Sequence, residues 1–139
     1  MREEIIFDKM PFLDTIQQDK RQQILEYFRT APDTLADSFI VENLPQNRVF
    51  VREDSPLDYV YLIANGVVKA TDYRVFGTEF DFTRFDKVYA MGGMEVIMKL
   101  PTYRTTLTTV TKCTIVKIPV KPYTEWLYSD AHALQLEAQ

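Results

Sequence analysis

The stretch GGMEVIMKLPTYRTT, Gly92 to Thr106, gathers two glycines, a carboxylate, an arginine and two threonines between segments patterned as strands. Glycine lets a backbone approach a ligand closely, and the amides that open a helix attract negative charge. Gly92, Gly93, Met94, Glu95, Arg104, Thr105 and Thr106 are therefore the candidate ligand-binding residues, and a small anionic molecule is the ligand they suit. Each has a plainer reading. Glu95 is favoured near a helix start by the helix dipole whatever else is present. Arg104 reads first as an exposed strand arginine beside an acid and only second as a phosphate ligand, because its register is displaced by one residue. Thr105, Thr106, Thr108, Thr109 and Thr111 are good strand formers first and pocket lining second. Met91, Met94 and Met98 suit either an adaptable apolar pocket or core filling. The stretch is thus either an anion cradle or the turn with which a β-barrel closes.

Other chemistry finds little support. His132 is the single histidine and has no second ligand near it in sequence, so neither a metal site nor a histidine-based catalytic constellation is expected. Cys113, alone in TKCTIVKIP, reads as a buried inert thiol, and one cysteine cannot make an internal disulfide. Glu79 and Asp81 flank Phe80 on one strand face, the solvated one. Neither catalytic residues nor a metal are expected. A net charge of −4 with scattered basic residues gives no electrostatic footprint for nucleic acid. No apolar run is long enough for a bilayer, so a soluble cytoplasmic protein with no membrane contact is expected.

The elements that must hold the candidate stretch follow from periodicity. TIQQDKRQQILEYFRTA, Thr15 to Ala31, places Ile16, Ile24, Leu25 and Phe28 on one helical stripe. Pro32 either ends that helix or starts a second short one through PDTLADS. From Phe39 the period becomes two, and FIVENL, RVFVRE, YVYLIA, VVKATDYR, EFDFTRF, KVYAM, RTTLTTVT and TIVKIP read as about eight strands. Pro45 to Asn47, Asp54 to Pro56, Asn65-Gly66, Phe76 to Thr78 and Met91 to Gly93 supply the turns, with Asn65-Gly66 the strongest hairpin signal. The fold class expected is mainly β with flanking helices, a double-stranded jelly roll. After Pro119 the spacing of Tyr123, Leu127, Ala131, Leu134 and Ala138 predicts a helix that begins a heptad-like seam. Trp126 and Tyr128 are expected to pack that helix onto the barrel.

Helix, eight strands and a seam helix in this order resemble the sensory half of the Crp/Fnr transcription regulators, the cyclic-nucleotide-binding domain. The motif RVFVREDSPLDYVYLIANGVVKA carries the likeness through Phe50, Arg52-Glu53, Pro56, Tyr61, Leu62, Ile63 and Gly66. The resemblance implies one domain over 1 to 139. Residues 12 to 38 would be its helical part, 39 to 119 the β-roll and 120 to 139 the start of a long dimerisation helix. It also implies a homodimer through Tyr123, Leu127, Ala131 and Leu134, and an effector that is a cyclic nucleotide or another small anion. DNA would be bound only through a C-terminal domain absent from this chain. The family's phosphate-binding cassette falls on GGMEVIMKLPTYRTT, with Glu95 on its glutamate, Met94 on its glycine and Tyr103 on its arginine. Asp54 and Asn47 stand where the family has turn glycines, and both tolerate left-handed φ. The reading that results is a small-molecule-sensing regulatory domain, not an enzyme. Its rival is a ligand-free dimerisation scaffold with a vestigial pocket.

Overall fold

A computed structural model describes residues 1 to 72, 78 to 82 and 88 to 129. The alternating segments form strands, each trimmed by its turns: β1 Ile40–Leu44, β2 Val49–Val51, β3 Tyr59–Asn65, β4 Val68–Asp72, β5 Thr78–Phe82, β6 Tyr89–Met91, β7 Thr106–Thr109 and β8 Cys113–Pro119. They make two four-stranded antiparallel sheets, β1-β8-β3-β6 and β2-β7-β4-β5. Side chains alternate across a strand, so the first sheet feeds two cores. Tyr61, Ile63, Cys113 and Ile115 point between the sheets with Val51, Val68, Ala70 and Leu107. Val60, Leu62, Ala64, Val116 and Ile118 point outward against the helices. This explains why β3 is almost continuously apolar rather than strictly alternating.

The helical layer is larger than the sequence suggests. An additional helix, α1 Glu3–Lys9, precedes the predicted one; acids fill its first turn, Lys9 its last, and Ile6 is buried. A 3-10 helix, η1 Pro11–Asp14, follows, and α2 spans Gln18–Tyr27 rather than Thr15 to Ala31. The helical part thus begins near residue 3 instead of 12, because Pro11 starts a 3-10 turn and does not merely break a helix. Pro32 starts the second short helix: it is the N-cap of η2 Asp33–Ser38, a 3-10 helix. Ile24 and Phe28 of the predicted stripe are buried, whereas Ile16 and Leu25 are only half-buried. The last described helix, α4 Val120–Ser129, starts where expected.

Two expectations need correction. Asn65-Gly66 is no hairpin: β3 and β4 belong to different sheets, and the turn carries the chain from one sheet to the other. The glycine is required because φ is +97° and a Cβ there would lie 2.4 Å from the Lys112 carbonyl oxygen. The described hairpin of β4 is with β5, whose connecting residues 73 to 77, including most of the Phe76-Gly77-Thr78 signal, lie outside the described residues. Secondly, the seam stripe faces inward where α4 begins. Tyr123 and Leu127 are 0% and 2% exposed and pack, with Trp126, on this chain's own helix-side core. The Tyr123 hydroxyl also hydrogen-bonds that of Tyr27 at 2.6 Å. The first two seam positions are therefore taken by intrachain packing, while Ala131 and Leu134 lie outside the described residues. Tyr128 does not join Trp126 in the packing, being 53% exposed.

Candidate functional site

The candidate stretch begins as β6 leaves the first sheet. Gly92 takes a left-handed conformation, φ +98°, and is the N-cap of a short helix, α3 Gly93–Ile97. Its Cβ position would meet the Tyr59 carbonyl oxygen at 3.3 Å and the Tyr103 ring at 3.4 Å, so the turn is seated tightly on β3. Glu95 stands in the first turn of α3, half-buried, and its carbonyl accepts the Leu100 amide at 2.9 Å as Lys99 turns the chain back with φ +57°. Met94 and Met98, one helical turn apart, are 48% and 49% exposed and fill neither core nor closed pocket.

The return segment is clasped to the turn before β3. The amide of Tyr103 donates to Ser55 O at 3.1 Å, that of Asp54 to Tyr103 O at 2.9 Å, and that of Leu57 to Pro101 O at 3.1 Å. Asp54 makes this possible with φ +70°, as its short polar side chain permits. Because neighbouring residues of an extended segment face opposite ways, Tyr103 points into the roll and Arg104 out of it. Tyr103 is 4% exposed, and its hydroxyl donates to Tyr59 O at 2.6 Å while accepting from Tyr59 N at 3.1 Å. Phe50, Tyr61 and Tyr103 stand in contact, with centroids 5.4 Å and 6.3 Å apart along the row, and fill this end of the inter-sheet core. Arg104 is exposed and lies along Met98, its Nη1 4.0 Å from the sulfur.

The structure thus keeps Gly92, Gly93, Met94 and Glu95 together around the start of α3, with Arg104 on the outer side of the clasp. Thr105 is half-buried, and the hydroxyl of buried Thr106 is used internally, accepting the Glu53 amide at 3.1 Å. Sequence reasoning places Tyr103 on the family's arginine but not in the core. The only signal of its packing was the aromatic alternation Tyr59, Tyr61 on the facing strand. Among the described residues no three His, Cys, Asp or Glu side chains converge as a metal site, and no helix is long and apolar enough to cross a membrane. His132 lies outside the described residues, as do the side chains of Glu79 and Asp81.

Burial raises the proton affinity of Tyr103, of Tyr61 and of the Cys113 thiol above their ordinary values. The folded chain therefore holds these protons where the unfolded chain, with ordinary values of 10.0 for tyrosine and 9.0 for cysteine, releases them. The stability that these three groups contribute is fully present below pH 9 and is lost as pH rises beyond it. In an ultraviolet titration of phenolate formation, Tyr61 and Tyr103 should ionise together with loss of the fold. Their smooth ionisation in a folded chain would contradict this.

No family model matches the sequence, and no curated protein does. Solved structures do. The sensor domain of the transcriptional regulator DNR from Pseudomonas aeruginosa superposes with a TM-score of 0.65 at 20% identity, over 84% of this chain and 88% of that one. The c-di-GMP-responsive global regulator CLP of Xanthomonas campestris gives 0.59 at 18% identity over 73% of this chain. The regulatory subunit of a cAMP-independent protein kinase A from Trypanosoma brucei gives 0.70 at 13% over 97%. This chain has the cyclic-nucleotide-binding fold. It spans 51% of CLP and 47% of the trypanosome subunit, and so corresponds to about half of either. Within the cyclic-nucleotide-binding fold, the jelly roll and its flanking helices agree with the sequence reading. The named neighbours are regulators or a regulatory subunit, not catalysts.

Proposed function

We propose that this chain is the sensory module of a Crp/Fnr-like regulator whose cassette does not take a cyclic nucleotide. The observation that supports this is Tyr103. The residue matched to the family's phosphate-binding arginine is an uncharged, buried phenol, and both its donor and its acceptor capacity are used by Tyr59. A cyclic phosphate would meet no buried cation there, and Met94 replaces the glycine beside it. Calorimetry against cyclic AMP and cyclic GMP should give no heat of binding. Saturable heat that vanishes in Glu95→Ala would overturn the reading.

A second reading is favoured by the exposed face where Arg104 lies along Met98 near Met94. A small anion with an apolar part would find both a cation and two thioethers there. Heat with anionic metabolites that disappears in Arg104→Ala would select it over the ligand-free scaffold.

Signal output is proposed to run through a homodimer formed by the continuation of α4, with Ala131 and Leu134 at the contact. DNA would be read by a domain beyond the part of the regulators that this chain matches. Leu134→Asp should leave the roll folded and the chain monomeric in sedimentation. Leu127→Asp should instead unfold it, since Leu127 is buried in its own core. A Leu134→Asp chain that sediments like its parent would remove the seam.

A further inference from the structure

We propose that Met98 is a peroxide-reactive site, converted to the sulfoxide ahead of the other methionines because Arg104 stands where the new oxygen needs a donor. The chain has five methionines. Met10 is fully buried, Met1 and Met91 are half-buried, and Met94 and Met98 are almost equally exposed, at 48% and 49%. A peroxide in solution reaches those two alike, so exposure does not choose between them. The guanidinium does. Arg104 Nη1 lies 4.0 Å from the Met98 sulfur, whereas the Met94 sulfur has no donor among the described residues. That separation is loose for a thioether, which is a weak acceptor. It suits a sulfoxide, because one sulfur–oxygen bond and one charge-assisted hydrogen bond of about 2.8 Å, meeting at a bent oxygen, span it.

The reaction balances with a hydroperoxide as the one co-reactant. A sulfur lone pair attacks the hydroxyl oxygen of the peroxide, and the S–O bond forms as the O–O bond breaks. The proton of the attacked oxygen passes to the departing one, which leaves as water or an alcohol. The thioether is oxidised by two electrons and the peroxide is reduced by two. Negative charge builds on the peroxide oxygens as their bond breaks, so the guanidinium favours the transition state more than the thioether it touches only loosely. The product is a polar acceptor where an apolar group stood. Met98 is the C-cap of α3 and Arg104 precedes β7, so the new hydrogen bond ties the end of that helix to the return segment. It also occupies the cation that an anionic ligand of this face would use. The oxidation itself needs no such ligand: a face that binds no metabolite still reacts, and a failure of selectivity leaves both readings of the cassette untouched.

A chain labelled with methyl-¹³C methionine gives one methyl resonance for each of the five residues to follow in dilute hydrogen peroxide. Met98 should convert about threefold or more faster than Met94, the rate equivalent of one net hydrogen bond gained in the transition state. Arg104→Leu, at an exposed residue, should leave the chain folded and bring the two rates together. A second measurement leaves Arg104 in place. The ¹⁵N signals of its guanidinium should shift when the parent is oxidised and stay fixed when Met98→Leu is treated in the same way. Equal rates at Met94 and Met98 in the parent, a preference for Met98 that survives Arg104→Leu, or an Arg104 signal indifferent to oxidation of Met98 would each overturn the proposal.

Discussion

Replacing Tyr103 by alanine is expected to cost the domain about 3 to 5 kcal/mol, the range for emptying a large buried aromatic site. The phenol carries two separable contributions. Its ring closes the row Phe50, Tyr61, Tyr103 between the sheets and lies against the Gly92 turn. Its hydroxyl binds both polar groups of Tyr59, a backbone pair that would otherwise be left unmade by this end of β3. Tyr103→Phe isolates the second contribution and should cost about 1 to 3 kcal/mol. Tyr103→Arg, which puts an arginine at the position matched to the phosphate-binding arginine of the family this chain resembles, should destabilise by about 3 to 5 kcal/mol without conferring nucleotide binding, because the charge enters an apolar row without a partner. Urea denaturation of the three variants gives the ordering. A phenylalanine variant as stable as the parent would show that the hydroxyl contributes nothing, and an arginine variant that binds cyclic AMP would reverse the functional reading.

Gly66→Ala should be comparably severe, at about 2 to 6 kcal/mol, as the sum of backbone strain and overpacking at about 1 to 3 kcal/mol each. Here φ is +97°, and the added Cβ would sit 2.4 Å from Lys112 O, 2.7 Å from Cys113 Sγ and 2.9 Å from Cys113 Cα. All three are backbone atoms or a buried thiol, so the turn has little room to adjust. Gly66→Asn separates the causes, since asparagine tolerates the dihedral but still brings a Cβ. Gly92→Ala is the control. Its φ is the same within a degree, but its nearest contact is 3.3 Å, so backbone strain of about 1 to 3 kcal/mol with only mild crowding against Tyr59 O should remain. Equal thermal midpoints for the two alanine variants would show that the Lys112 clash is relieved at no cost.

That pair also marks where the sequence could be read and where it could not. Every alternating segment became a strand because period-two patterning with β-branched residues is a local property. Asn47 and Asp54 adopted left-handed φ as their side chains allow. Partner choice is not local. Asn-Gly between two strands is equally good chemistry for a hairpin and for a step between sheets, and only the approach of Lys112 distinguishes them. The first two positions of the α4 stripe went the same way: Tyr123 and Leu127 have the spacing of an intermolecular contact, but the nearest apolar surface was the chain's own core. In the candidate site, Gly92 and Glu95 were legible from type and order. The position of Tyr103 was legible too, but its burial was not, because its hydrogen-bond partners lie on a strand 44 residues earlier.

The clasp between residues 101 to 103 and 54 to 57 has a mechanical consequence. With three backbone bonds and the Tyr103 hydroxyl pair fastening it, the segment behaves as a strut rather than a hinge. The next residue along that strut, Asp58, accepts the amide of Val120, the first residue of α4, at 3.0 Å. The return from α3 and the first residue of α4 are thus tied to one short segment, residues 54 to 58. Their amides at Tyr103 and Val120 are expected to lose exchange protection together if that segment opens.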